Sequence, residues 1–325
     1  MSTATAIHLP SQPRERPFFK KLQDGDQIAH LITLIFAAMV LLITVILVSE
    51  LWAHSAPSRA KFGLNFFFSR VWDPVGGQFG AWPFIYGTIF TSLLSLLIAV
   101  PLGVGAAIFL SELAPPRMSN LFTFLIELLA AVPSVIFGLL AIFALVPLLR
   151  DYVEPYLQRT LGFLPFFTGP IYGIGYLAAS MTLAIMIFPF IISISREALL
   201  AVPREQREAA LALGATRWES TWQVVVPHAR LGIIGSVFLA LARAFGETMA
   251  VTMVIGNDPK VSASLFAPGY TIAAVIANEF TEATGDLYLS ALVELGLVLF
   301  LLTMIINGLA QVMIVATTRK GSKHE

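Results

Sequence analysis

The chain has 325 residues, 57% hydrophobic and 12% charged, with a mean hydropathy of +0.81 and a formal net charge of zero. Soluble domains carry about 25% charged residues, so this composition indicates an integral membrane protein, and a neutral chain offers no global field for nucleic acid. The absence of Cys excludes thiol catalysis, disulfides and Cys-ligated metal, and five scattered His residues form no metal spacing such as HExxH.

Residues 1–27 are polar and basic and read as a leader. The apolar run that begins near Ile28 is too long for the core of a cleaved signal and is expected to stay as an anchor. Roughly 20 apolar residues suffice to cross a bilayer, and backbone in lipid must be hydrogen-bonded internally. The runs therefore predict six transmembrane helices, over 28–51, 84–113, 121–149, 171–200, 231–255 and 288–316. Pro101 and Pro189 fall inside the second and fourth and predict kinks. The segment 317–325 is left as a tail.

Between the first two spans, residues 52–83 hold Trp52, Phe62, Phe66, Phe67, Phe68, Trp72, Phe79 and Trp82. They read as an interfacial aromatic belt or a short amphipathic segment, with a docking surface for an outside partner as the alternative. Residues 150–170 and 256–287 carry Gly, Pro and acidic residues and read as loops or short surface helices.

Lys and Arg concentrate on the cytoplasmic side of membrane proteins. With the N-terminus inside, thirteen of the twenty basic residues fall in inside segments and six in outside loops, with Arg243 in a helix. Both ends are then cytoplasmic. The longest inside loop is 196–230. Val202-Pro203-Arg204-Glu205 has the form of a helix start, and Gly214 is a good residue to end that helix. Thr216 with Glu219 forms a capping-box pattern for a second short helix. The expected product is helix, glycine turn, helix, over about 201–228. Ala209, Ala210 and Ala212 keep the first helix slim for close approach. An ordinary amphipathic hairpin on the membrane surface is the plainer reading.

Arg243 and Glu247 lie four apart within the fifth predicted span and are expected to share one helix face. A charge in the membrane centre costs about 2.5–3.5 kcal/mol on insertion scales and marks a functional candidate. A guanidinium can hold an oxyanion by two parallel hydrogen bonds, so Arg243 is a candidate for an anion path, with Glu247 neutralising it until the anion arrives. A structural ion pair between helices is the alternative. Glu127 and Glu294 are assigned structural or gating roles and either is a partner for Arg243, whereas Glu112 and Arg196, near helix ends, are expected to snorkel. Gly232, Ser236, Ala240 and Ala244 form a small-residue ladder, suited to a second subunit or to internal packing. Gly173-Ile174-Gly175-Tyr176-Leu177-Ala178 imitates a dinucleotide fingerprint but follows no strand, and no GxxxxGK[ST] is present.

Glu208-Ala209-Ala210, three residues, Gly214, nine residues and Val224-Val225-Val226-Pro227 resemble the EAA loop of ABC importer permeases, with Val in place of Ile and Leu. Further segments extend the likeness: Ile126-Glu127-Leu128-Leu129-Ala130-Ala131-Val132-Pro133-Ser134, Phe245-Gly246-Glu247-Thr248-Met249-Ala250-Val251-Thr252, Ile255-Gly256-Asn257, Ala277-Asn278-Glu279-Phe280 and Glu294-Leu295-Gly296-Leu297. Together they are similar to the PstC-type permeases of phosphate-specific ABC importers. That resemblance implies an all-α, six-helix type I permease in the bacterial inner membrane, importing inorganic phosphate by alternating access. It implies a second, PstA-type permease subunit, a PstB-type ATPase dimer that carries the ATP and Mg, and an extracytoplasmic PstS-type phosphate-binding protein. Glu208, Ala209, Ala210, Gly214 and Pro227 would contact the ATPase, and Arg243 and Glu247 would line the path. The chain itself would bind no cofactor and perform no chemistry. Sulfate, molybdate and phosphonate permeases share the loop, so another oxyanion is an alternative. A proton-coupled carrier using Glu127, Glu247 and Glu294 is a further one, although no inverted repeat is evident. A sensing role reported to a kinase would have no separate domain here.

Overall fold

The computed structural model describes residues 25–321, with side chains over 28–313. The expected leader lies almost wholly outside this range, as does the end of the expected tail. The chain divides after Glu50 into two units.

The first unit is most of α1, Gly25–His54. It is apolar on every side, and Ile28 to Leu47 present their side chains outward, as suits a helix whose solvent is lipid.

The second unit begins with two short helices, α2 (Ala56–Phe62) and α3 (Asn65–Phe68). The membrane-length α4 (Trp82–Leu113) follows, running through Pro101 and ending in a π-helical turn over Phe109–Leu113. Next come α5 (Pro116–Ala130), α6 (Ser134–Leu161) and α7 (Tyr176–Leu200), the last running through Pro189. The short α8 (Arg204–Ala212) precedes the long α9 (Arg217–Phe245). The chain closes with α10 (Met249–Val254), α11 (Ile272–Glu279) and α12 (Asp286–Gly321). Among the described residues, six helices are long and apolar enough to cross a membrane: α1, α4, α6, α7, α9 and α12.

Two of the expected spans are redrawn. The third, 121–149, is broken after Ala131 by Pro133. Proline has no N–H for the ladder and drives the residue before it out of helical geometry. The spanning helix therefore starts at Ser134 and takes in residues expected to be loop. The fifth, 231–255, starts much earlier and stops at Phe245, where Gly246 and Thr248 interrupt it before α10. Pro227 does not break α9, because a π-helical turn over Thr221–Val225 lies immediately before it.

α7 is the central helix, with buried Tyr176, Ala178, Leu183, Ile187 and Ile191 packed among α4, α9 and α10. The small-residue ladder on α9 faces α7 rather than outward. Ser236, Ala240 and Ala244 are buried, and the Ser236 and Ser195 hydroxyls meet at 2.8 Å. Much of the aromatic segment over 52–83 is likewise internal, although Trp52 and Phe68 are exposed. Trp72 packs edge-on against Phe79 and Phe84, and Phe79 stacks on Tyr288 of α12. One carboxylate oxygen of Glu279 accepts from the Trp72 indole at 2.8 Å and from the Tyr288 hydroxyl at 2.6 Å. A belt at the membrane surface would leave these rings exposed; here Phe66, Phe79 and Phe84 are buried and form the core of a cap.

Candidate functional site

α8 and the start of α9 build a helix, a turn and a second helix, as the loop's residues predict. Gly214 closes the turn at φ +90, a left-handed value that favours glycine, and its N–H donates to the Leu211 carbonyl at 3.0 Å. A methyl group at Gly214 would meet no atom within 4 Å, so backbone conformation, not space, requires the glycine. The Thr216 hydroxyl accepts from the Glu219 N–H at 3.2 Å and the Glu219 carboxylate accepts from the Thr216 N–H at 2.8 Å. That reciprocal cap starts the second helix. It is not the short helix expected, since it continues unbroken to Phe245.

The loop presents its side chains outward. Glu208 and Ala209 are exposed, Ala210 is half-buried, Leu213 is 90% exposed, and Pro227 is exposed further along α9. A groove of about 670 Å³ opens between α8 and α9, walled by Ala209, Ala210, Leu213, Gly214 and Gln223. Slim residues along its floor leave room for an inserted element.

Arg243 and Glu247 do not share a helix face. Arg243 lies in the last turn of α9, exposed, with its guanidinium 4.2 Å from the centre of the Phe190 ring of α7. Glu247 follows the break at Gly246, and its Oε1 accepts from the Ala250 N–H at 3.3 Å, an acid serving the start of α10. Among the described residues no ion pair joins the two. Glu294 is buried on α12 within reach of Ser58 and the Arg59 charge on α2, and Glu127 is exposed on α5 near Arg196. Neither is a partner of Arg243, and Glu127 is outside the six membrane-length helices. Glu112 does not snorkel: it forms a partly buried ion pair with Arg207. That pair, and the seat that Phe190 gives Arg243, have no sequence signal, because their partners come from distant helices.

In the second unit, membrane-length helices packed about α7, with a helix–glycine–helix loop between two of them, make the architecture of a permease subunit. The chain belongs to the family of binding-protein-dependent transport system inner membrane components, whose model matches residues 99–316. It is a multi-pass inner-membrane protein and a transport subunit. It is similar to the phosphate transport system permease protein PstC of Mesorhizobium japonicum, 48% identical over 293 residues, covering 89% of this chain and 90% of that protein. It is also similar to PstC of Xylella fastidiosa strain 9a5c, 46% identical over 307 residues and covering 93% and 91%. Among solved structures it resembles a chain of a bacterial ABC transporter that imports the acidic polysaccharide alginate. That match has a TM-score of 0.57 at 15% identity, covering 90% of this chain and 98% of that one. The fold is that of an ABC importer permease.

Proposed function

We propose that this chain is the permease subunit of an ATP-driven phosphate importer, forming half of the anion path and taking its drive from a separate ATPase. The observation that carries the reading is the outward-facing helix–glycine–helix loop on a membrane bundle whose relatives are named phosphate permeases. Glu208, Ala209, Ala210, Gly214 and Pro227 form the surface that the ATPase grips, and the groove between α8 and α9 receives it.

Arg243 provides the positive charge for the anion. Glu247 is engaged with the Ala250 N–H rather than with Arg243, so it does not quench that charge; its place is to hold the break at Gly246 in shape. Glu127 and Glu294 serve structure or gating. The partners are a second permease of the same kind, two ATPase copies carrying ATP and Mg, an extracytoplasmic phosphate-binding protein and lipid. The bias of Lys and Arg supports a topology with both ends and the loop in the cytoplasm. The permease domain is 28–316, between a cytoplasmic leader and a cytoplasmic tail.

The test is uptake by proteoliposomes that hold this chain with its second permease, ATPase and binding protein. Labelled phosphate and labelled sulfate are offered separately. ATP-dependent phosphate entry, lost in Glu208→Lys and in Arg243→Gln, is the expected result. Entry of sulfate instead overturns the substrate assignment, and entry driven by a proton gradient without the ATPase overturns the whole reading.

A further inference from the structure

The helix α8 has no buried residue. A nine-residue helix without a buried face gains little from its own hydrogen bonds, so its position depends on what ties it to the membrane helices. On its C-terminal side the tie is covalent and stiff, because the capped start of α9 runs without a break into the membrane. On its N-terminal side the tie is weak: the backbone leaves helical geometry between Leu200 and Arg204, at Val202-Pro203. Nothing in the chain's path connects α8 to α4.

One side chain spans both gaps. Arg207 Nε and Nη2 donate to the two carboxylate oxygens of Glu112 at 3.1 and 2.9 Å. Nη2 also donates to the Leu199 carbonyl at 2.7 Å, and Nη1 to the Val202 carbonyl at 2.5 Å. The two side chains are 19% and 10% exposed. Glu112 lies in the π-helical turn that ends α4, and Leu199 in the last turn of α7. A single guanidinium therefore joins the exposed helix to the ends of two membrane helices. It adds a second donor to the Leu199 carbonyl, which also accepts from the Val202 N–H at 3.3 Å, and it places a positive charge where the α7 dipole is negative. A bidentate pair of this kind fixes direction as well as distance.

We propose that Arg207, held by Glu112, is a positioning residue for transport, the strut that makes α4 and α7 follow the movement of the ATPase-docking loop. The proposal rests on the docking reading given above. Arg207 does not form the docking surface: it points away from the groove, toward Glu112, Leu199 and Val202. Nor does it alone seat the loop, since Val202 is buried among Leu199, Val225 and Ala229. Removing the guanidinium should therefore leave the complex assembled and separate ATP hydrolysis from transport.

The test uses the complete complex in proteoliposomes and measures ATP hydrolysis, uptake of labelled inorganic phosphate and retention of the ATPase on purification. The variants are Glu112→Gln, Arg207→Met, the two together and Arg207→Lys. Expected is full retention of the ATPase, with phosphate moved per ATP reduced at least about fivefold in each of the first two. The double variant should be no worse than either single one, as for two ends of one interaction. Arg207→Lys, which keeps the charge and loses the fork, should recover part of the ratio. A purely structural role would lower the yield or melting temperature and leave the ratio unchanged, and that result overturns the proposal. So does additive loss in the double variant. Loss of the ATPase from the Arg207→Met complex would assign Arg207 to docking itself and overturn the strut. Retention of the ATPase by a Leu213→Asp, Gly214→Val variant would overturn the docking reading, and the strut with it.

Discussion

Arg243 rests its guanidinium on the face of Phe190, 4.2 Å from the ring centre, so a charge on one membrane helix is seated by an aromatic ring on its neighbour. Arg243 is otherwise exposed.

On the proposed role of Arg243 in the anion path, truncating that seat should weaken the hold on the anion without removing the charge. Phe190→Ala is expected to raise the phosphate concentration for half-maximal uptake about fivefold, the equivalent of a cation–π contact of about 1 kcal/mol. Phe190→Trp should preserve it. Arg243→Lys should fall well below wild type although the charge is kept, because an ammonium has neither the fork nor the flat face. Uptake kinetics in proteoliposomes over a range of phosphate concentrations measure all three.

Gly214 is required by backbone conformation alone. Gly214→Val is therefore expected to cost about 1–2 kcal/mol at a left-handed position, to distort the turn and to release the ATPase during purification. Gly214→Asn should retain it, since asparagine tolerates this conformation better than a branched residue. Equal retention of the ATPase by the two variants would contradict this account.

Gly87 on α4 is required by space. A methyl group there would collide with the backbone carbonyl of Tyr270, and the neighbouring Thr88 hydroxyl accepts from the Ile272 N–H at 3.0 Å. Gly87→Ala should lower stability by about 1–3 kcal/mol, as overpacking does, and loosen the cap where α11 meets α4. Thermal unfolding of the purified chain in detergent tests it, with Gly105→Ala, where nothing lies within 4 Å, as the neutral comparison.

The cap also carries an alkaline limit. Burial, as the largest cause, pushes the Tyr270 phenol above its ordinary value. A group whose folded pKa is raised contributes stability that is present below its unfolded pKa, about 10 for tyrosine. That contribution is lost as pH rises from there through the folded value. The melting temperature should therefore drop above about pH 10, and less steeply in Tyr270→Phe. Glu279→Ala should act at neutral pH by removing the acceptor shared by Trp72 and Tyr288, and a red shift in Trp72 emission would report the opened cap.

Much of this organisation was legible in the residues, and the failures have physical causes. Long apolar runs give membrane-length helices because lipid allows no other backbone, and Gly214 with Thr216 and Glu219 carries its turn and cap in local chemistry. Pro133 was the visible stop for a helix drawn straight across it. The break at Gly246 was harder, since an isolated glycine inside a helical pattern is compatible with the helix continuing. The pairings of Arg207 with Glu112 and of Arg243 with Phe190 join residues 95 and 53 positions apart, and no periodicity reports a meeting between helices. The aromatic segment after α1 holds the short helices that were one of its readings, but its buried cluster was not legible, because a buried cluster and a surface belt have the same composition and only the distant partner Tyr288 tells them apart.

The unbroken run of α9 has a mechanical meaning. From Arg217 to Arg243 is about 39 Å at 1.5 Å per residue, and one continuous helix carries both the capped end of the glycine-turn loop and, in its last turn, Arg243. Rocked by about ten degrees on its midpoint, a rod of that length sweeps each end through about 3 Å, in opposite senses. Displacing one end swings the other in the opposite sense, so movement at the loop reaches Arg243 while α9 itself changes no hydrogen bond.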